Sequence, residues 1–154
     1  MSNKLILWLI LISPWVTLFF MKKEGIKRYL PVTIFTALLV TIVYEIAYTY
    51  KWWELRVTIV PWGNITNVSY AYGSFFIGTL WILYFTYKKF WLYLLTNIVI
   101  DGIDAFLITG FMESRKIIHY ANISKFSLFL IMVTLSLITY GFQVWHEKVF
   151  KLNT

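Results

Sequence analysis

Along the chain, long apolar runs alternate with short charged breaks, and the pattern resolves into five segments, approximately 5–21, 32–50, 70–87, 90–112 and 123–145. A helix rises 1.5 Å per residue, so about twenty apolar residues cross a hydrocarbon core of roughly 30 Å. Each run is therefore read as a membrane-spanning helix. Every break carries charge: KKEGIKR, KWWELR, KK, ESRK and HEK follow the five runs in order. The first run is the shortest and contains Pro14, which predicts either a kinked helix or an uncleaved signal anchor, because no small-residue cleavage site follows it.

The fold expected from this pattern is all-α: an integral membrane protein with a single domain over 1–154, folded as a bundle of five transmembrane helices. Composition agrees. The chain is 60% hydrophobic and 14% charged with a mean hydropathy of +0.70, whereas soluble domains carry roughly a quarter charged residues. With no cysteine, disulfides, thiolate metal sites and cysteine nucleophiles are excluded together. The net charge of +7 does not point to nucleic acid, since Lys and Arg cluster in the short breaks between apolar runs, where they orient helices in a bilayer.

The positive-inside rule sets the expected orientation. Lys22, Lys23, Lys27, Arg28, Lys88, Lys89, Lys148 and Lys151 fall on one side, against Lys4, Lys51, Arg56, Arg115, Lys116 and Lys125 on the other. The first side also holds the densest short loop, so the N-terminus is placed outside and the C-terminus in the cytoplasm. The sequons at Asn64, Asn67 and Asn122 would then all face outside, a placement that matters only in a glycosylating host. Trp8, Trp52, Trp53 and Trp62 form an outer aromatic belt, with Trp91 and Trp145 in an inner one. The longest connection, 51–69, is too aromatic for a solvated loop. It is read as an interfacial or re-entrant outer segment turning at Pro61 and Gly63, which either anchors two helix ends or closes over a cavity.

Against this apolar background, NIVIDGIDAF (97–106) places Asn97, Asp101 and Asp104 at i, i+4 and i+7 in the fourth run, which puts them on one helix face. Thr41, Glu45 and Tyr48 repeat the spacing in the second run. Both runs travel in the same direction, and residue counts from their inner ends place Glu45, Asp101 and Asp104 at similar depth. Ionisable groups at such depth are expensive and face a bundle interior or a watery cavity, which makes these six residues the candidate site. No Lys or Arg occupies the central part of any run. The carboxyls can act as protonated glue between helices together with Gln143. They can bind a proton, a cation or a cationic ligand. Asp101 and Asp104 can also serve as the acid and base, or the metal ligands, of an intramembrane enzyme acting on lipid.

Other chemistry is sparse. His119 and His146 lie at opposite ends of the bundle and lack zincin spacing, and no phosphate-cradling loop, nucleophile elbow or triad is present. Three carboxylates could offer oxygen ligands to a hard cation but are few for a dedicated cage, so the metal, if any, is left open and no cofactor is expected. Ser74 with Gly78, and Gly102 with Gly110, predict close helix approach.

The stretch MKKEGIKRYLPVTIFTALLVTIVYEIAY, followed by KWWE, PWGNITN and YGSFFIGTLWILYFTY, resembles small multispanning membrane proteins of Bacillus-type Gram-positive bacteria. That resemblance implies a multi-pass protein of the bacterial plasma membrane, with idle sequons, and carries no activity with it. The functional expectation is a non-enzymatic binding, transport or membrane-assembly component whose acidic cluster takes a proton, cation or cationic ligand. A lipid-modifying enzyme and a purely structural protein are the alternatives. Expected partners are the lipid bilayer and a small ligand or cation, and an odd number of spans leaves room for a homo-oligomer or a larger membrane complex.

Overall fold

The computed structural model describes residues 2–150. The chain is mostly helical, and four of its helical stretches are long and apolar enough to cross a membrane: Asn3–Phe20, Lys23–Thr49, Phe90–Ser114 and Lys125–Phe150. The first is α1 (Asn3–Val16) and a 3-10 turn (Thr17–Phe20). The second is α2 (Lys23–Thr49). The third joins α4 (Phe90–Ile103) through a π-helical turn (Asp104–Ile108) to α5 (Thr109–Ser114). The fourth is α6 (Lys125–Phe150). The remaining apolar run is also helical, over 68–86, with a π-helical turn (Tyr70–Ser74) leading into α3 (Phe75–Thr86).

Pro14 sits inside α1 without ending it. Its ring removes the N–H that would bond to the carbonyl of Ile10, and the Ser74 hydroxyl donates to that carbonyl at 3.3 Å instead. The helix then tightens into the 3-10 turn, where Thr17 Oγ1 donates to Pro14 O at 2.6 Å. The second helix begins nine residues before the expected start at 32, so Lys23, Lys27 and Arg28 ride on it rather than in a loop. A tertiary contact accounts for part of this extension: Arg28 reaches Glu147 near the end of α6.

The segment 51–69 and the break after the fourth run contain what the apolar pattern did not predict, a two-stranded antiparallel ribbon of β1 (Trp53–Leu55) and β2 (Ile118–Tyr120). Trp53 faces Tyr120, Glu54 faces His119 and Leu55 faces Ile118. Strands of three residues are too short to show a period of two, which is why the all-α expectation missed them. Both are launched the same way. After α2, Lys51 adopts φ 52° and Trp52 N–H bonds back to Ala47 O; after α5, Lys116 adopts φ 55° and Ile117 N–H bonds back to Met112 O. These are left-handed helix ends with the carbonyl-satisfying pattern usually built on glycine. The expected turn at Pro61 and Gly63 is present, with Gly63 N–H bonded to Val60 O.

Apolar packing forms three clusters. At the end away from the ribbon, Tyr29, Val32, Leu80, Leu83 and Tyr93 pack together. In the ribbon half, Val40, Tyr44, Ala71 and Leu135 form a second cluster. Beneath the ribbon, Leu7 of α1 meets Met112, Ile117 and Ile118. Large apolar side chains also cover the outside, with Phe19 89% and Phe20 84% exposed. A water-facing surface rarely tolerates so much contiguous apolar area, whereas helices in hydrocarbon require it.

Candidate functional site

Two departures from α-helical geometry meet in the middle of the bundle. In the π turn before α3 the Phe75 N–H bonds to Tyr70 O, and in the π turn after α4 the Thr109 N–H bonds to Asp104 O. Each turn inserts a residue and rotates the side chains that follow, a distortion that concentrates at functional sites. The first residues of the two turns touch: Tyr70 OH donates to Asp104 Oδ2 at 2.6 Å. Small residues permit the first distortion. Ala71 is fully buried, and a Cβ at Gly73 would overlap the backbone of Ile10 and Leu11 on α1.

Tyr70 and Asp104 separate two cavities. On the ribbon side lies one of about 70 Å³, walled mainly by apolar groups such as Val40, Tyr44, Met112 and Leu135. The other, of about 140 Å³, lies between α2, α3, α4 and α6 and is lined by Asn97, Asp101, Thr36, Thr139, Ser136 and Tyr93 among others. Asp101 is 6% exposed, and its Oδ2 has no hydrogen-bond partner among the described residues. No Lys, Arg or His among the described residues lines either cavity. Lys125, one of the cations nearest in sequence, instead donates to Phe106 O at 3.4 Å.

Three of the six expected residues therefore converge: Asn97, Asp101 and Asp104 share the larger cavity. The other three do not join them. Glu45 is exposed on α2, Tyr48 is 57% exposed near the ribbon, and Thr41 is half-buried and bonded to Tyr72 OH at 3.1 Å. The cause is the rotation of α2, whose buried stripe runs through Thr36, Val40, Tyr44 and Ala47. That i, i+4, i+8, i+11 series is visible in the sequence, and Glu45 lies on the adjacent, exposed face. Thr36 and Tyr44 are the residues of α2 that reach the cavities. Around the ribbon-side cavity, burial pushes the Tyr120 hydroxyl well above its ordinary pKa, and the carboxylates of Asp104 and Glu113 push it further in the same direction.

A second polar cluster lies at the end away from the ribbon. Arg28 Nε meets Glu147 Oε1 at 2.5 Å, Gln143 Nε2 donates to the same oxygen at 2.9 Å, and Tyr87 OH donates to Glu147 Oε2 at 3.0 Å. The guanidinium also lies 5.2 and 5.3 Å from the ring centres of Tyr29 and Tyr87. Gln143 thus serves this clamp and not the aspartates, and its i, i+4 spacing to Glu147 was the one sequence feature that could have shown it. The expected close approach at Gly78 is absent, because a Cβ there would meet nothing within 4 Å; Gly73 makes that approach instead. His119 pairs with Glu113 at 3.3 Å and His146 stacks on Phe142 at the far end of α6. Among the described residues no three His, Cys, Asp or Glu side chains are grouped to hold a metal ion.

Comparison with known proteins leaves the geometry as the guide: the chain matches no family model, no curated protein and no solved structure.

Proposed function

We propose that this is a five-span protein of a bacterial plasma membrane, with the N-terminus and the ribbon outside and the C-terminus in the cytoplasm, and that it works by binding, not by catalysis. Its site is the larger cavity, where Asp101 and Asp104 take up a proton, a cation or a cationic ligand as part of transport, sensing or membrane assembly. The observation that carries this reading is Asp101, whose Oδ2 is buried and unpartnered among the described residues and which lines a cavity that no described basic side chain reaches. Carboxyls acting only as interhelical glue would find partners in neighbouring helices, and an uncompensated carboxylate at that depth is too costly to persist without a proton or a counter-ion. The 68–86 helix supplies the fifth span.

Isosteric Asp101→Asn and Asp104→Asn variants test the site against Glu45→Gln as a control. In the binding reading the two Asn variants lose dependence of thermal stability on pH or on added ions, while Glu45→Gln retains it. If all three behave as the wild type, the carboxyls are glue. Because the chain has no cysteine, single Cys residues at positions 27 and 122, labelled in intact cells by an impermeant maleimide, read the orientation directly: labelling at 122 and not at 27 is expected.

A further inference from the structure

The placement of protons around the larger cavity narrows what it can hold. A hydroxyl has one proton to donate and two lone pairs with which to accept. Ser136 Oγ donates to Val133 O at 2.7 Å and Tyr93 OH donates to Ser136 O at 2.8 Å. Thr36 and Thr139 have two protons for three contacts, each 2.8 Å long, to Val32 O, to Leu135 O and to each other. Asn97 places one amide proton on Tyr93 O at 2.8 Å, Ser74 donates to Ile10 O and Tyr70 to Asp104. Among the described lining residues, the Thr79 hydroxyl is the side-chain donor left over, since the Asn97 amide also interacts with the Tyr93 side chain. The acceptors are many: the hydroxyl lone pairs, the Asn97 carbonyl and the unpartnered Asp101 Oδ2.

A wall rich in acceptors and poor in donors repels anions and suits a ligand that brings positive charge or several N–H groups. Two carboxyls line the cavity, and Tyr70 already engages Asp104; with Asp104 protonated, Asp101 is left as the one charged ligand among neutral ones, which a single positive charge balances. Divalent calcium takes six to eight oxygens and usually several carboxylates, which this cavity does not offer. Its volume of about 140 Å³ is close to that of cavities that accept a benzene-sized guest, roughly 150 Å³.

We infer that the cavity holds a small monovalent cation, an alkali-metal ion or an ammonium or short primary alkylammonium ion, with Asp101 as its charged ligand and the hydroxyls of α2 and α6 as its neutral ones. This rests on the binding reading of the Asp101–Asp104 cavity and narrows it to one ligand class.

The test is thermal unfolding of the purified full chain in detergent, titrated with sodium, potassium, ammonium or methylammonium chloride. Ionic strength is held constant with N-methylglucamine chloride, a cation too large for the cavity, and magnesium and calcium chlorides serve as divalent probes. At least one small monocation is expected to raise Tm saturably; alkali ions and ammonium species acting separately would tell the two sources apart. Asp101→Asn is expected to weaken the apparent Kd more than about tenfold, and Glu45→Gln to leave it unchanged. If Asp101→Asn fails to fold, Ser136→Ala keeps the charge and is expected to weaken binding about threefold or more. Saturable stabilisation by divalent ions alone overturns the inference while leaving the cavity a binding site. No response to any salt, with a pH dependence of Tm that Asp101→Asn alters, also overturns it, because the cavity then takes only protons in company with Asp104, Tyr70 and Tyr93. No response to salt and no effect of Asp101→Asn on the pH profile overturns both the inference and the reading beneath it.

Discussion

Tyr70 and Asp104 are 34 residues apart in the chain, each is the first residue of a π-helical turn, and the hydroxyl of one lies 2.6 Å from the carboxylate of the other. With Phe75 and Met132 they line both cavities and so form the partition between them. Removing the hydroxyl leaves Asp104 Oδ2 without that donor and thins the partition. Tyr70→Phe is expected to destabilise by about 1 kcal/mol, the upper range for an interhelical hydrogen bond in a membrane protein, measured by unfolding in mixed micelles. A Tyr70→Phe, Asp104→Asn pair whose cost equals the sum of the single changes would show that the two residues are not coupled.

The clamp at the other end joins α2 to α6 through Arg28 and Glu147, whose side chains are 19% and 13% exposed. Breaking a largely buried pair strands the remaining charge. Partial exposure moderates the cost, so Glu147→Gln or Arg28→Gln is expected to cost roughly 2 kcal/mol, and the double Gln variant less than the two together. Additive losses in the same unfolding assay would mean that the charges act independently.

Gly73 and Gly78 lie five residues apart and should respond oppositely. At Gly73 a larger side chain must push α1 away from the Tyr70 turn, because the obstruction is backbone of Ile10 and Leu11 and cannot rotate aside. Gly73→Val is expected to destabilise by about 2 kcal/mol. Gly78 in α3 has open space around its missing Cβ, so Gly78→Ala is expected to be neutral or to stabilise by up to about 1 kcal/mol, as helix propensity dictates. A comparison of Tm values decides, and equal losses at both positions would contradict close packing at Gly73 and open space at Gly78.

Lys51 and Lys116 hold the left-handed conformation at which helices α2 and α5 give way to the ribbon. Non-glycine residues there forfeit roughly 1–2 kcal/mol, part of which glycine loses again through its greater freedom when unfolded. Lys51→Gly and Lys116→Gly are each expected to raise stability by about 0.5–1 kcal/mol. A loss would mean that the lysine side chains make contributions beyond backbone geometry.

What the sequence determined by itself was the class of solution. Apolar runs of about twenty residues separated by charge can satisfy their backbone in hydrocarbon only as helices, and all five runs are helical in the structure. The period of 3.6 also put Asn97, Asp101 and Asp104 on one face, because spacing within a helix is local geometry, and those three do share a cavity. Tertiary structure decided the rest. The rotation of α2 is set by how its whole length packs, so the charge on Glu45 could not reveal that Thr36 and Tyr44 face the cavities while Glu45 faces outward. The ribbon depends on pairing two three-residue strands more than sixty residues apart in the chain, a pairing with no local signature. The clamp between Arg28 and Glu147 spans 119 residues. The unpartnered oxygen of Asp101, on which the functional reading stands, is a property of everything that surrounds it, and only the packed helices define those surroundings.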